Sequence, residues 1–192
     1  MDTELQEVAE FENITFKQYS ELQNPEEYSY IMKYSRLFNL PNDVYNAGDF
    51  TQKTFGIVKD LQYDLTKGAT WMQLLDYFSK LTGKPVKEFV NEGIMQICQF
   101  KSYVFSEIER INEIEKVGLA SQPTADEEKA GIERFGIYGN YLQFVDLAND
   151  DITKIEQVKQ MKYIDCLMLL KLRHDRSQFQ KDLMRVRKDF KE

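Results

Sequence analysis

One histidine, His174, stands in the 192 residues of this chain. That excludes paired-histidine metal motifs and leaves a histidine-dependent triad improbable. Cysteine is nearly as scarce: Cys98 and Cys166 each sit among apolar residues at helical spacing. Two isolated cysteines make neither a disulfide framework nor a zinc site, and they read as buried reduced thiols. Apolar runs are short, and none approaches the ~18 residues of a membrane span. The opening residues, MDTELQEVAEFEN, lack the basic start and apolar core of a signal peptide. The expectation is a cytosolic protein, or one assembled in a cytosol.

Phosphate-cradling motifs are missing too. No Walker-type glycine loop is present, and Gly136 with Gly139 does not make a dinucleotide fingerprint. No Ser or Cys sits in a nucleophile motif. Positive charge is in deficit: Lys and Arg number 25 against 32 Asp and Glu, for a net charge of −7. Such a balance argues against nonspecific binding to nucleic acid or anionic membrane, which requires a basic surface. The aggregate expectation is a non-enzyme with no catalytic residues, no cofactor and no metal.

Aromatic residues are plentiful. Thirteen Phe and eleven Tyr supply both core area and interface chemistry. Apolar residues recur at three-and-four spacing almost throughout, and no window alternates as a strand does, so the fold is expected to be all-α, an irregular multi-helix bundle of about seven to nine helices with helical hairpins. Asn24-Pro25-Glu26-Glu27 starts a helix that ends before Leu40-Pro41. Asp49 or Gly48 begins another, with Phe50, Thr54, Ile57, Val58, Leu61 and Leu65 on one stripe, closed by Gly68. Thr70 caps the next, Trp71 to Leu81, ended by Gly83, and the short turn between the two suggests an antiparallel hairpin. A short segment after Pro85 leads to a long helix from Ile94 to about Val117, charged over its last turns.

GLASQPT, from Gly118 to Thr124, is the best internal linker and divides the chain. Residues 1–117 form an N-terminal helical region with an acidic tail and the long helix. Residues 118–192 form a C-terminal helical module with a basic last helix. In the second part Thr124 and Glu127 match a capping box for ADEEKAGIER. A glycine-hinged aromatic helix follows, with Gly136 and Gly139 as close-contact points and Tyr138, Tyr141, Leu142 and Val145 on its face. Asn149-Asp150-Asp151 stops it and caps ITKIEQV. A final apolar helix breaks phase near His174, where Asp175 caps a new stripe of Phe179, Leu183, Val186 and Phe190. Phe78-x-x-Leu81, Val86 and Phe89 are echoed at one constant offset by Phe144-x-x-Leu147, Ile152 and Ile155. Generic helical spacing accounts for that echo, and no duplication is inferred from it.

Acids offer the nearest thing to chemistry. Asp146, Asp150 and Asp151 could form a carboxylate site, but helix ends need acids there anyway. Asp60 and Asp64, one turn apart, read as a solvated face. The charged ends of the chain are more informative. Glu4, Glu7, Glu10 and Glu12 make an acidic tail without a cation, whereas Arg176, Arg185, Arg187 and Lys188 enrich the last helix in positive charge. Head-to-tail complementarity between copies, with Tyr138 and Tyr141 as aromatic contacts, favours a ring.

Across residues 135–183, Phe135-Gly136, Leu147-Ala148, Asp151-Ile152, Lys154, Val158 and Leu169-Leu170 form a pattern of small and apolar residues. It resembles the C-terminal regions of small helical proteins of tailed bacteriophages. These include virion structural proteins of head–tail connector or ring type, among them those of crAss-like phages, and proteins of tail-assembly-chaperone type. This chain carries Asn149-Asp150 where such sequences have Gly-Gly before Asp-Ile. The resemblance implies an oligomeric ring or connector protein of the virion, assembled in the host cytoplasm. Its partners would be itself and other virion proteins, with no membrane and no sequence-specific nucleic acid. The alternatives are a tail-assembly chaperone absent from the particle, and a host-directed regulator or small enzyme.

Overall fold

The computed structural model describes residues 14–21, 45, 47–119 and 125–189, and the chain is all-α. Nine α-helices run through the described residues: α1 (Phe16–Ser20), α2 (Phe55–Lys67), α3 (Trp71–Thr82), α4 (Val86–Asn91), α5 (Ile94–Leu119), α6 (Ala125–Lys129), α7 (Tyr141–Leu147), α8 (Ile155–Gln160) and α9 (Tyr163–Asp189). Three 3-10 segments, Phe50–Gln52, Ile132–Tyr138 and Ile152–Lys154, complete the set. The helix expected after Pro25, the capping side chain of Thr124 and the acidic tail lie outside the described residues. Two compact units divide the chain. The first joins the described residues before Asp49 to Gly68–Glu109, and the second joins Asp49–Lys67 to the residues from Arg110 onward.

In the first unit, local chemistry sets the helix ends. Thr15 and Gln18 form a reciprocal capping box at α1, and Thr70 and Gln73 form another at α3. Each box satisfies amide donors that the first helical turn leaves without partners. Gly83, at φ +77°, ends α3 in the left-handed conformation that only glycine adopts cheaply. The core is aromatic. Phe78, Phe89 and Phe100 pack within 4.4–6.2 Å of one another, and Tyr45 lies 4.6 Å from Phe100. Ring pairs of this kind add about 0.5–1.5 kcal/mol each beyond the area they bury.

The second unit is built on α2. Phe55, Val58 and Leu61 are fully buried, and the Phe55 ring meets Phe144 of α7 edge-on at 5.4 Å. Gly56 permits the contact with α8: a Cβ there would lie 2.9 Å from Lys159 Cβ and 3.2 Å from the Lys159 carbonyl oxygen. Tyr163 and Cys166 bring the first turns of α9 into the same core.

Both units close in the same way. In the first, the Phe16 amide donates to the Glu92 carbonyl and the Ile94 amide to the Ile14 carbonyl, each at 2.8 Å. In the second, Phe55 donates to Met161 and Tyr163 to Lys53, again at 2.8 Å. Each pair frames an isolated antiparallel bridge, Thr15 with Gly93 and Thr54 with Lys162. The bridge satisfies the first amides of two helices at once. A short helix precedes the second half of each bridge and a long helix follows it, so one construction occurs twice. The echo in the sequence does not coincide with this construction, since it pairs Phe89 with Ile155. Relative to the bridges, Phe89 corresponds to Val158, both buried, whereas Ile152 is exposed.

Four expectations change. The helix expected from Asp49 is interrupted: Asp49 caps the 3-10 turn Phe50–Gln52, then Lys53-Thr54 extends to form the bridge, and α2 starts at Phe55. Helices α2 and α3 fall in different units, so the local hairpin gives way to packing of α2 with α8 and α9. The expected helix over ADEEKAGIER ends early, at Lys129, ahead of Gly131 with φ +78°, and residues 132–138 are 3-10. Finally, α9 runs unbroken through His174-Asp175. No glycine or proline interrupts its hydrogen-bond ladder, and the phase change marks a change of neighbours, not of backbone.

Candidate functional site

The densest polar site lies in the second unit. On α2, Lys59 and Gln62 follow Phe55 by four and seven residues and share its buried face. Lys59 is only 1% exposed. Its Nζ donates to Glu115 Oε1 at 2.5 Å and lies 5.7 Å from the Phe55 ring centre and 6.0 Å from that of Tyr163. The Tyr163 hydroxyl donates to the same carboxylate oxygen. Gln62 Nε2 donates to Asn112 Oδ1 at 2.7 Å, and Asn140 Nδ2 donates to the Lys59 carbonyl at 2.6 Å. Burial lowers the pKa of Lys59, and Glu115 partly opposes it. Burial, then the Glu115 charge, raises that of Tyr163.

A depressed lysine beside a carboxylate and a phenol is chemistry that a proton-transfer site could use. Here the lysine is closed in by aromatic rings; its bond to Glu115 ties α2 to α5, and the Tyr163 hydroxyl ties α9 to the same carboxylate. Nothing in the sequence sets Glu115 apart from the other acids in the charged last turns of α5. The readable signal was the position of Lys59 and Gln62 on the same helix face as Phe55.

Asp146 and Asp151, at the two ends of the 146–151 turn, are engaged locally. Asp146 accepts from Arg173 at 2.9 Å, and Arg173 also donates to Asn149 Oδ1 at 2.8 Å, a cation at the carboxyl end of α7. Asp151 caps the 3-10 turn, accepting from the Thr153 amide at 3.0 Å and hydroxyl at 2.6 Å, with Lys154 2.8 Å away. Bonds from Lys154 and Thr153 pull its carboxyl down to about 2. Asn149 and Asp150 take positive φ, the tight reversal that Gly-Gly would make without strain. Among the described residues no group of three His, Cys, Asp or Glu is placed to hold a metal, and no helix is long and apolar enough to cross a membrane. Cys98 and Cys166 are buried free thiols, each pushed up to about 11 by burial.

Comparison with protein-family models, curated proteins and solved structures finds no match. The surface then carries the argument. The 3-10 segment Ile132–Tyr138 buries none of its residues. Phe135, Ile137 (82% exposed), Tyr138, Tyr141 and Leu142 all stand in solvent. The expected aromatic face of α7 is thus its outer face, and Phe144 with Leu147 forms the inner one. Gly136 is not a close-contact point, since a Cβ there would meet nothing within 4 Å. Nor is Gly139: a Cβ there would meet Tyr63 Cε2 at an ordinary 3.5 Å, and what calls for glycine is its φ of +49°.

Arg176, Arg185 and Arg187 are exposed on α9, and Arg185 has an intrahelical partner in Asp182 at 3.5 Å. Lys188 lies on the same helix, with its side chain outside the described residues. Glu4, Glu7, Glu10 and Glu12 lie wholly outside them.

Proposed function

We propose that this chain is a non-enzymatic, self-associating structural protein, and specifically an oligomeric ring or connector component of a tailed-bacteriophage virion. The observation that carries the reading is the run of exposed aromatic and aliphatic side chains from Phe135 to Leu142. A 3-10 segment with no buried residue holds these groups in water, where a contiguous apolar patch marks a contact surface more often than an ornament of the fold. Tyrosine suits such a surface because it offers large contact area at small entropic cost. The basic residues of α9 would fix orientation against acidic neighbours, the tail from Glu4 to Glu12 of another copy among them.

The phage assignment adds to this the resemblance over residues 135–183. Mass spectrometry of purified virions tests it, with the chain expected as a stoichiometric component. A chain present during assembly but missing from the finished particle would instead be a chaperone, and the structural reading would fall.

A further inference from the structure

Helix α9 has two apolar faces, and only one is covered. Tyr163, Cys166 and Leu167 turn into the core of the second unit, and farther along the same side Lys181 pairs with Glu127 at 3.2 Å. The opposite side carries Met168, Leu172, Phe179, Leu183 and Val186, all exposed, with Phe179 at 66%. From Met168 to Val186 this stripe is about 27 Å long at 1.5 Å per residue. Leu172, Phe179 and Val186 recur every seventh residue, the spacing at which one helix meets another along its length. Exposing so many apolar groups in line on one helix is costly, and sequence propensity for helix does not require it.

The edges of the stripe identify its occupant. At 3.6 residues per turn, Asp175 and Asp182 lie along one edge, and Arg176 and Arg187 along the other. A partner helix complementary to this face needs an apolar stripe with arginines on one side and acids on the other. The same face on a second copy has that layout. When two copies of α9 lie parallel, the acidic edge of one meets the basic edge of the other. When they lie antiparallel, like edges meet. We infer that α9 packs in parallel against α9 of a second copy through the Met168–Val186 stripe. The inference rests on the self-association reading above and names the surface that performs it.

Sedimentation equilibrium of the full chain tests both. The wild type is expected to self-associate, and Phe179→Glu to raise the dissociation constant at least ~30-fold, as for a central contact residue. Circular dichroism should be unchanged, because the side chain is exposed. Arg176→Glu with Arg187→Glu gives two acidic edges, and Asp175→Arg with Asp182→Arg gives two basic ones. Each double variant should be monomeric alone, and the two should associate when mixed. Leu172→Cys and Val186→Cys, made separately, should each form a disulfide-linked dimer under mild oxidant. A monomeric wild type would overturn the self-association reading and this inference together. An oligomeric wild type that ignores Phe179→Glu, or that cross-links at neither cysteine, would overturn this interface alone.

Discussion

Removing Glu115 should unfold the second unit more effectively than any surface change on the molecule. Among the described residues its carboxylate is the one negative group bonded to Lys59 Nζ, at 2.5 Å, and Lys59 is 1% exposed. Glu115→Ala would leave the ammonium facing the Phe55 and Tyr163 rings, which lie 5.7 and 6.0 Å away. It would also take the acceptor from the Tyr163 hydroxyl. An uncompensated buried charge of this kind costs about 3–5 kcal/mol. For a chain of this size that corresponds to a fall in Tm on the order of 10 °C. Urea denaturation followed by circular dichroism measures it. The pair need not be stabilising relative to apolar residues, because its desolvation offsets most of its attraction. Lys59→Met combined with Glu115→Leu should therefore recover most of the loss. A single variant within ~1 kcal/mol of wild type would refute the claim that the charge is held by this carboxylate alone. A double variant as unstable as Glu115→Ala would refute the coupling.

Two further outcomes are expected. Gly56→Ala places a Cβ 2.9 Å from Lys159 Cβ and 3.2 Å from its carbonyl oxygen, so α2 and α8 must separate. Overpacking of that kind costs about 1–3 kcal/mol, read as a lower urea midpoint, and an unchanged midpoint would mean that α8 shifts freely. In alkali, Tyr19, Tyr45, Tyr163, Cys98 and Cys166 keep their protons in the folded chain beyond their ordinary values, chiefly through burial. The unfolded chain then loses those protons first, and stability falls as pH rises from about 9, the ordinary thiol value, through the tyrosine range. Lys53 and Lys59 act in the opposite sense, because burial lowers them and the unfolded chain holds its proton longer. Five groups against two give a net loss, and urea midpoints that stay level or rise between pH 8 and 10.5 would contradict it.

The parts of the fold readable from sequence are those decided within a few residues. Thr70 with Gln73 starts α3 and Gly83 ends it, because capping boxes and left-handed glycines act within one helical turn. What was hidden depends on distant partners. Nothing local to Lys53-Thr54 announces an interruption, since the bonds that extend it come from Met161 and Tyr163. The phase change near His174 was visible, but it records where α9 leaves the core side and presents a stripe outward. The candidate site divides in the same way. Tyr138 and Tyr141 were legible as one aromatic face from their spacing, but that this face points outward was not. Lys59 resembled any surface lysine until Glu115 and Tyr163 closed around it.

The paired bridges bear on how the chain is made. The first bridge can form once Gly93 and Ile94 have been synthesised, since its other half, Ile14 to Phe16, is already present. The second must wait for Met161 to Tyr163, although its α2 has long since left the ribosome. At ~5–20 residues per second, that delay is on the order of ten seconds. Until then Phe55 lacks the Tyr163 ring, which later lies 5.8 Å from its own. A chain released early, before α9, would carry a finished first unit and an unsealed second one.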